Sequence, residues 1–354
     1  MKKIIEGSAE IFAPSDEKIS KKLSVFYNPA MGLNRDISVL LINSIDKHDM
    51  QIADPMAATG IRSIRFLKEL GKNKIKSLSI NDFSINAAAL IKKNLELNKL
   101  HFSKNKKIRL SAQDANLFLL NSAGFDYIDI DPFGSPNNFL DSSCKRIARG
   151  GILAVTATDT SALCGTFPNA CIRKYWALPK KNSMMHETGL RILIRKVQLV
   201  GAQYEKALMP LYSYSIGHYM RVFFRAEKGR QKADGILKLH GMLNEAGPLW
   251  RGDLWDEKLA GRIYKNAAKN ILFSKNQELV KFLELIREES RIHSVGFYEL
   301  HYVCRKNKIK MLLKRKEIIK RIISAGHKAS ATHFSGTGIR TGIPYDSLIG
   351  ILEN

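Results

Sequence analysis

Asp131-Pro132-Phe133-Gly134 carries the sharpest chemical signal in this sequence. It follows an apolar run, Phe125 to Ile130, that reads as a strand. A carboxylate, a rigid turn and an aromatic face stand together there, and each has a use. An amino group on an aromatic ring has its lone pair delocalised into that ring and is a poor nucleophile. A carboxylate and a neighbouring backbone carbonyl can both accept its hydrogen bonds and localise the lone pair. Proline, with its fixed φ and missing N–H, holds such a turn rigid. Phe133 offers a face on which an extruded base can stack. An ordinary Asp-Pro turn at a strand end reads the same way.

Two further acids fall at strand ends. Asp54 closes the run Gln51 to Asp54, and Asp82 closes Ile75 to Asn81, which alternates at period two. Asp82 lies 22 residues after Gly60, the usual place for an acid that bonds ribose hydroxyls. A dehydrogenase uses the same device, so Asp82 signals an adenosine cofactor without naming it. The loop Pro55 to Gly60 stands where a methyltransferase wraps the amino-acid part of S-adenosylmethionine, although it keeps one glycine of G-x-G-x-x-G. Asp114, with Ala115, follows a third short strand beginning at Lys107 and suits an adenine amino group or a helix cap. Phe26, Tyr27 and Arg35 precede the first strand and suit a base pocket, a cofactor carboxylate, or simple packing. The Asp-Pro-Phe turn is itself a variant of the (Asp or Asn)-Pro-Pro-(Tyr or Phe) pattern of enzymes that methylate exocyclic or amide nitrogens.

The elements that must position these residues are legible as alternation. Strand, helix, strand, helix from Met50 to Thr158 argues for βαβ units and a parallel sheet. Ligands bind outside the carboxyl ends of such strands, where Asp54, Asp82 and Asp131 fall. Ser84 is expected to cap a helix with Ile85, Ala88, Ile91 and Leu95 on one face. A helix to Gln203 and two antiparallel strands, Ala207 to Tyr214 and Tyr219 to Ala226, then finish the sheet as a hairpin, the pattern of class I methyltransferases. Lys228 to Asp234 is polar and marks a domain boundary. The expected architecture is α/β: a class I S-adenosylmethionine-dependent, Rossmann-like domain over 1–228 and a smaller α+β domain over 229–354.

The chain has 354 residues and, with 57 Lys and Arg against 33 Asp and Glu, a net charge of +24. That excess points to a polyanion, most simply nucleic acid. Residues 301–328 hold ten Lys/Arg against Glu317 alone. Leu312, Ile319, Ile322 and Ile323 keep helical spacing there, with Gly326 as C-cap, so a helix laid on phosphates is expected. No apolar stretch is long enough to cross a membrane and no apolar leader core opens the chain, so the cytoplasm is expected. Cys144, Cys164, Cys171 and Cys304 form no C-x-x-C pair and are expected as reduced core residues.

Taken in order, Val25-Phe26-Tyr27-Asn28-Pro29, Asn34-Arg35-Asp36, Thr59-Gly60-Ile61-Arg62, Asn81-Asp82 and Asp131 to Pro136 make a more specific set than any one of them. Thr156 to Asp159, Leu163-Cys164-Gly165, His186 to Arg191, Gly247 to Trp250 with Leu254-Trp255, and Thr332-His333-Phe334 follow. Together they closely resemble the tRNA guanine-26 N2,N2-dimethyltransferase family in its archaeal form, over essentially the whole chain. The resemblance implies S-adenosylmethionine as cofactor and tRNA as partner, held partly by the C-terminal domain. It places the cofactor against Arg35, Thr59, Gly60, Arg62, Asp82, Asp114 and Ala115. It places the guanine N2 at Asp131 and Pro132, with Phe133, Phe26 and Tyr27 around the base.

Two departures stand out. Many relatives carry cysteine pairs as a zinc site before the Gly-Pro-Leu-Trp stretch, whereas Leu239 to Asn244 has none, so no metal is expected. Near the end Arg340 preserves a charge of the family pattern, but Gly342 replaces its acid. Two rival readings remain at this point: methylation of another amino nitrogen, in nucleic acid or protein, and a non-catalytic RNA-binding module.

Overall fold

A computed structural model describes residues 1–14, 25–101, 107–310 and 313–353. The chain opens with a hairpin of β1 (Lys2–Glu6) and β2 (Ala9–Ala13), then a 3-10 turn at Pro29–Met31 and α1 (Gly32–Ser44). The alternation read from the sequence follows: β3 (Met50–Asp54), α2 (Ile61–Glu69), β4 (Ile75–Asp82), α3 (Ile85–Leu97), β5 (Ile108–Ala112), α4 (Ala115–Leu120), β6 (Phe125–Ile130), α5 (Asn137–Arg146) and β7 (Ile147–Ala157). Two short helices, α6 (Thr160–Leu163) and α7 (Pro168–Tyr175), lead to α8 (Met185–Ala202) and the closing hairpin β8 (Lys206–Ile216) and β9 (Tyr219–Lys228).

Seven of these strands form one sheet in the order β5-β4-β3-β6-β7-β9-β8. Pairings from β5 to β7 are parallel, and β9 runs antiparallel to both β7 and β8. This is the expected α/β, Rossmann-like methyltransferase sheet. Its order reverses between β3 and β6, so a crevice opens at their carboxyl ends. Central strands are buried on both faces and read as apolar runs: Ile52, Ile128, Ile130, Leu153 and Val155 are sealed from solvent.

Ser84 caps α3, its hydroxyl accepting from the Ala87 amide at 3.3 Å. The buried face of α3, however, is Ala87, Leu90, Ile91, Asn94 and Leu95, and Ile85 is exposed. At 3.6 residues per turn, Ile85 lies about a third of a turn off the line through Ile91 and Leu95, so it leaves the expected stripe.

Polar Lys228 to Asp234 carries the chain from β9 into α9 (Arg230–Leu237), which packs on β8 and α8. The hairpin β10 (His240–Leu243) and β11 (Ala246–Trp250) and the helices α10 (Glu257–Lys269), α11 (Ile271–Ser274) and α12 (Gln277–Glu289) follow. One continuous apolar core runs from Ala9 through the sheet to Ile286 and takes in Phe297 and Phe334. A second, smaller core, Leu300 to Leu352, is built by β12 (Tyr298–Glu299), α13 (Leu300–Lys306), α14 (Arg315–Ser324), β13 (Ala329–Thr332), β14 (Ser335–Thr341) and α15 (Tyr345–Glu353). The basic segment near 301–328 is thus two helices, with Ile318 and Ile322 buried and Ile323 exposed. Leu312 lies outside the described residues. Gly326, at φ +86°, ends α14 as expected, with the His327 amide donating back to the Ile322 carbonyl at 3.1 Å. All four cysteines are buried thiols.

Candidate active site

A cavity of about 790 Å³ opens at the carboxyl ends of β3, β4 and β6. Asp54, Asp82 and Asp131 all line it. So do Phe26, Tyr27, Arg35, Thr59, Arg62, Asp114, Ala115, Pro132 and Phe133, which the sequence singled out. Gly60 is absent from the lining. Its φ of +77° starts α2, and a Cβ there would stand 3.2 Å from Ile91 side-chain carbons. Glycine there answers a conformational and a steric demand.

The strand-to-helix loops are held from behind by buried amides. Asn81 donates to the carbonyls of Pro55 (3.0 Å) and Gln113 (2.9 Å) and accepts from the Ser111 hydroxyl. Asn94 donates to Thr59 O at 2.9 Å and to Phe12 O at 3.1 Å. Asp82 accepts the Ala58 amide on one oxygen (2.8 Å) and the Ser84 amide on the other (2.9 Å). Each oxygen keeps a lone pair for a hydroxyl. Asp114 caps α4, accepting from Asn116 N and Leu117 N through Oδ1, and also lines the cavity. The cap and the pocket roles left open by the sequence are thus compatible.

At the other end, the Asp-Pro-Phe-Gly turn is clipped to the end of β7. The Gly134 amide donates to Thr158 Oγ1 (2.6 Å), and the Thr158 amide donates to Gly134 O (2.9 Å). Gly134 holds φ +75°, which suits glycine. Phe26 and Phe133 meet edge to face, centroids 4.4 Å apart at 81°. Both line the cavity, and Phe133 is 45 % exposed.

Beneath the turn lies a buried network that the sequence did not disclose. Arg221 of β9 makes two hydrogen bonds to Asp129, at 3.0 and 2.7 Å. Tyr127 donates to the same carboxylate at 2.7 Å. Arg62 of α2 stands 3.4 Å from Asp129 and pairs with Asp131 through Oδ2. Oδ1 of Asp131 has no hydrogen-bond partner among the described residues. Burial pushes the Asp129 carboxyl up, but Arg221 and Arg62 outweigh it and hold its pKa below the ordinary value. Asp54 fares oppositely: burial raises its pKa to about 7 despite Arg62, with Asp129 adding to the rise. Two acids within one buried strand, Asp129 and Asp126 in Phe125–Ile130, were the available signal, together with Arg221 in apolar β9.

Arg35, expected against a cofactor, pairs in bidentate fashion with Glu6 (2.6 and 2.5 Å) and donates to Asn28 O. Tyr27 donates to the same Glu6 at 3.2 Å. These two therefore line the cavity while tied to the N-terminal hairpin. Phe83, 79 % exposed and lining the cavity, was missed, although it directly follows Asp82. Among the described residues no group of three or more His, Cys, Asp or Glu stands in a metal-holding arrangement.

Chemically, the cavity joins two ends. One offers carboxylates to hydroxyl and amino donors beside an exposed aromatic ring. The other offers one oxygen of Asp131 and a rigid Pro132 turn beside two aromatic rings in edge-to-face contact.

Comparison with known proteins bears on what such a cavity does. A family model described as N2,N2-dimethylguanosine tRNA methyltransferase matches residues 7–246 and 237–353. The tRNA (guanine(26)-N(2)/guanine(27)-N(2))-dimethyltransferase of Aquifex aeolicus is 36% identical, over 100% of this chain and 96% of its own length. The tRNA (guanine(26)-N(2))-dimethyltransferase of Pyrococcus horikoshii is 38% identical, over 98% and 97%. A solved structure of Trm1 from Pyrococcus horikoshii with S-adenosyl-L-methionine superposes with a TM-score of 0.90 at 34% identity, covering 100% of both chains. On sequence, on fold and over its full length, this chain belongs to the N2,N2-dimethylguanosine tRNA methyltransferase family.

Proposed function

We propose that this enzyme transfers methyl groups from S-adenosylmethionine to the exocyclic N2 of guanine 26 in tRNA, giving N2-methyl- and N2,N2-dimethylguanosine. The observation that carries the reading is the Asp131 to Gly134 turn, set in the same cavity as Asp82 and Asp114. The donor set fits the cofactor: carboxylates of Asp82 and Asp114 for ribose hydroxyls and an adenine amino group, Phe83 for a ring face, and Thr59, Ala115 and Arg35 around them. When bound, S-adenosylmethionine supplies an electrophilic methyl group.

The rest follows from the chain's own groups. Arg62 holds Oδ2 of Asp131, which leaves Oδ1 and the Pro132 carbonyl to accept the two N–H bonds of the guanine amino group. Both acceptors draw the lone pair out of the ring. Phe133 and Phe26, in edge-to-face contact with each other, form the aromatic wall against which the extruded base packs. Rigid placement supplies most of the rate, and Asp131 takes up the proton released from N2 once the new N–C bond has formed. We assign methyl transfer to residues 1–228 and tRNA holding chiefly to 229–354, where the basic helices α13 and α14 meet the phosphate backbone. No described helix is long and apolar enough to cross a membrane. We place the enzyme in the cytoplasm, with its substrate.

Labelled S-adenosylmethionine with an unmodified tRNA transcript, digested to nucleosides, tests this. Label is expected in N2-methylated guanosine. Label in adenosine, cytidine or protein sinks the guanine reading, and tight tRNA binding without transfer supports the binding module instead.

A further inference from the structure

The segment between the catalytic turn and α8 combines basic with exposed apolar side chains. From Ser161 to His186 the sequence has no Asp or Glu, while Arg173, Lys174, Lys180 and Lys181 are basic. All four are exposed. Interleaved with them, Phe167 (61 %), Ile172, Trp176 (51 %) and Leu178 face solvent. Single exposed apolar residues are ordinary, but four within twelve positions make a patch.

The patch is rigidly built. Gly165, at φ +88°, packs so closely that a Cβ would meet the Lys181 amide at 2.8 Å, so the segment closes on itself. Leu178 and Gly247 exchange backbone hydrogen bonds at 2.7 and 2.8 Å. Trp176 holds the left-handed conformation (φ +56°, ψ +40°) at the end of α7. A bulky residue seldom sits there, since glycine does so without cost. Lys196 lies over the indole at 2.9 Å, and Arg195 donates to the Trp176 carbonyl at 3.1 Å.

This patch is coupled to the active site. Asn137, the first residue of α5 after the catalytic turn, donates to the Lys174 carbonyl at 2.7 Å. Lys174 pairs with Asp159 at 2.8 Å, one residue beyond the Thr158 that clips Gly134.

Resting on the proposed tRNA substrate, we propose that residues 166–181 form a second tRNA contact, on the catalytic part itself, which stacks unpaired bases flanking the target on Phe167 and Trp176 and meets their phosphates with Arg173 and Lys181. Lys174 and Lys180 pair with Asp159 and Glu245, so it is Arg173 and Lys181, in no ion pair among the described residues, that face a polyanion; exposed aromatic rings select unstacked bases over a duplex. The surface thereby positions the strand that delivers the guanine, while the C-terminal helices hold the tRNA body.

The test measures tRNA affinity, by anisotropy of a labelled transcript, for wild type, Phe167→Ala/Trp176→Ala, Arg173→Glu/Lys181→Glu and Trp176→Phe. S-adenosylmethionine binding by calorimetry reports that each variant is folded. The aromatic double variant is expected to weaken tRNA binding about 10-fold or more, with cofactor affinity unchanged. Trp176→Phe should retain most of the affinity. The charge variant should lower the slope of log affinity against log salt by about two. Wild-type affinity in both double variants, beside a wild type that binds and methylates tRNA, overturns the platform and leaves the proposed function standing. A wild type that binds no tRNA overturns both. A dimer that Phe167→Ala/Trp176→Ala converts to monomers, with tRNA affinity unchanged, assigns the patch to a second copy of the chain and also overturns the proposal.

Discussion

Among the buried arginine–carboxylate networks of the described residues, two differ in one respect that separates catalysis from architecture. The first joins Asp129, Asp131, Arg62 and Arg221 beneath the cavity. The second joins Glu187 of α8, Glu289 of α12, Arg191 and Arg340 of β14. In the second, every acid is saturated. Glu187 takes Arg340 (2.7 Å), Arg191 (2.8 Å) and the Gly296 amide (2.9 Å), and Glu289 takes Arg340 (3.0 Å), Thr332 and His333. In the first, Asp131 keeps one oxygen unbonded among the described residues at the cavity wall, and Asp54 beside it is driven toward neutrality. A saturated network fixes where elements sit. An unsaturated one at a cavity wall has capacity left for substrate.

The largest effect should come from the unsaturated acid. Asp131→Ala is expected to lower kcat about 10³-fold or more while tRNA and cofactor affinities survive. Near-normal turnover would remove Asp131 from the mechanism. Next, Arg340→Met removes the guanidinium that two buried carboxylates share, and breaking a buried ion pair in this way costs on the order of 3–5 kcal/mol. Urea denaturation should show that loss. A change within about 0.5 kcal/mol, the range of ordinary surface substitutions, would mean that the second network does not hold the C-terminal part in place.

Asp54, beside the first network, and Glu187, within the second, should answer pH with opposite signs. Burial opposes the charge of Glu187, but Arg340 and Arg191 outweigh it and bring its pKa down to about 2. A lowered carboxylate contributes stability that is fully present above its unfolded value, 4.5, and lost as pH falls toward 2. Asp54 is raised from 3.8 to about 7, so the folded state holds the proton longer and stability declines as pH rises between those values. Asp54→Asn should therefore gain stability at pH 8 and little at pH 4, and Glu187→Gln should flatten the acid limb. An equal gain for Asp54→Asn at both pH values would mean that Asp54 carries no such shift.

The same contrast explains what could be read without a structure. Residues that act through local context were legible: the strand-end acids, the Asp-Pro-Phe turn, Ser84 and Gly326 as caps, and the hairpin that ends the sheet. Period, spacing and turn chemistry are encoded within a few residues. What stayed hidden depends on long-range partners. Arg221 meets Asp129 across 92 positions and Arg340 meets Glu187 across 153. Nothing near Arg340 in sequence marks it as the centre of a buried network. Arg35 and Arg62 were legible as site residues, but their partners, Glu6 and Asp131, were not. Phe83 was readable from its place after Asp82, had the exposure of that turn been anticipated.

Arg62 is where the comparison sharpens most finely, because the resemblance and the geometry give it different work. By resemblance it contacts the cofactor; in the structure its guanidinium spans Asp129 and Asp131. Arg62→Lys keeps the charge but removes the planar fork needed to serve two carboxylates and Ser38 at once. If Arg62 works through Asp131, kcat should fall about 10-fold, at the low end of what a misplaced acid–base group costs, while the calorimetric affinity for S-adenosylmethionine stays near wild type. If it works through the cofactor, affinity should fall and kcat at saturation should hold. The second result would make Asp131's orientation a property of the rigid Pro132 turn, and the unsaturated network would then end at Asp129 rather than at the reacting amine.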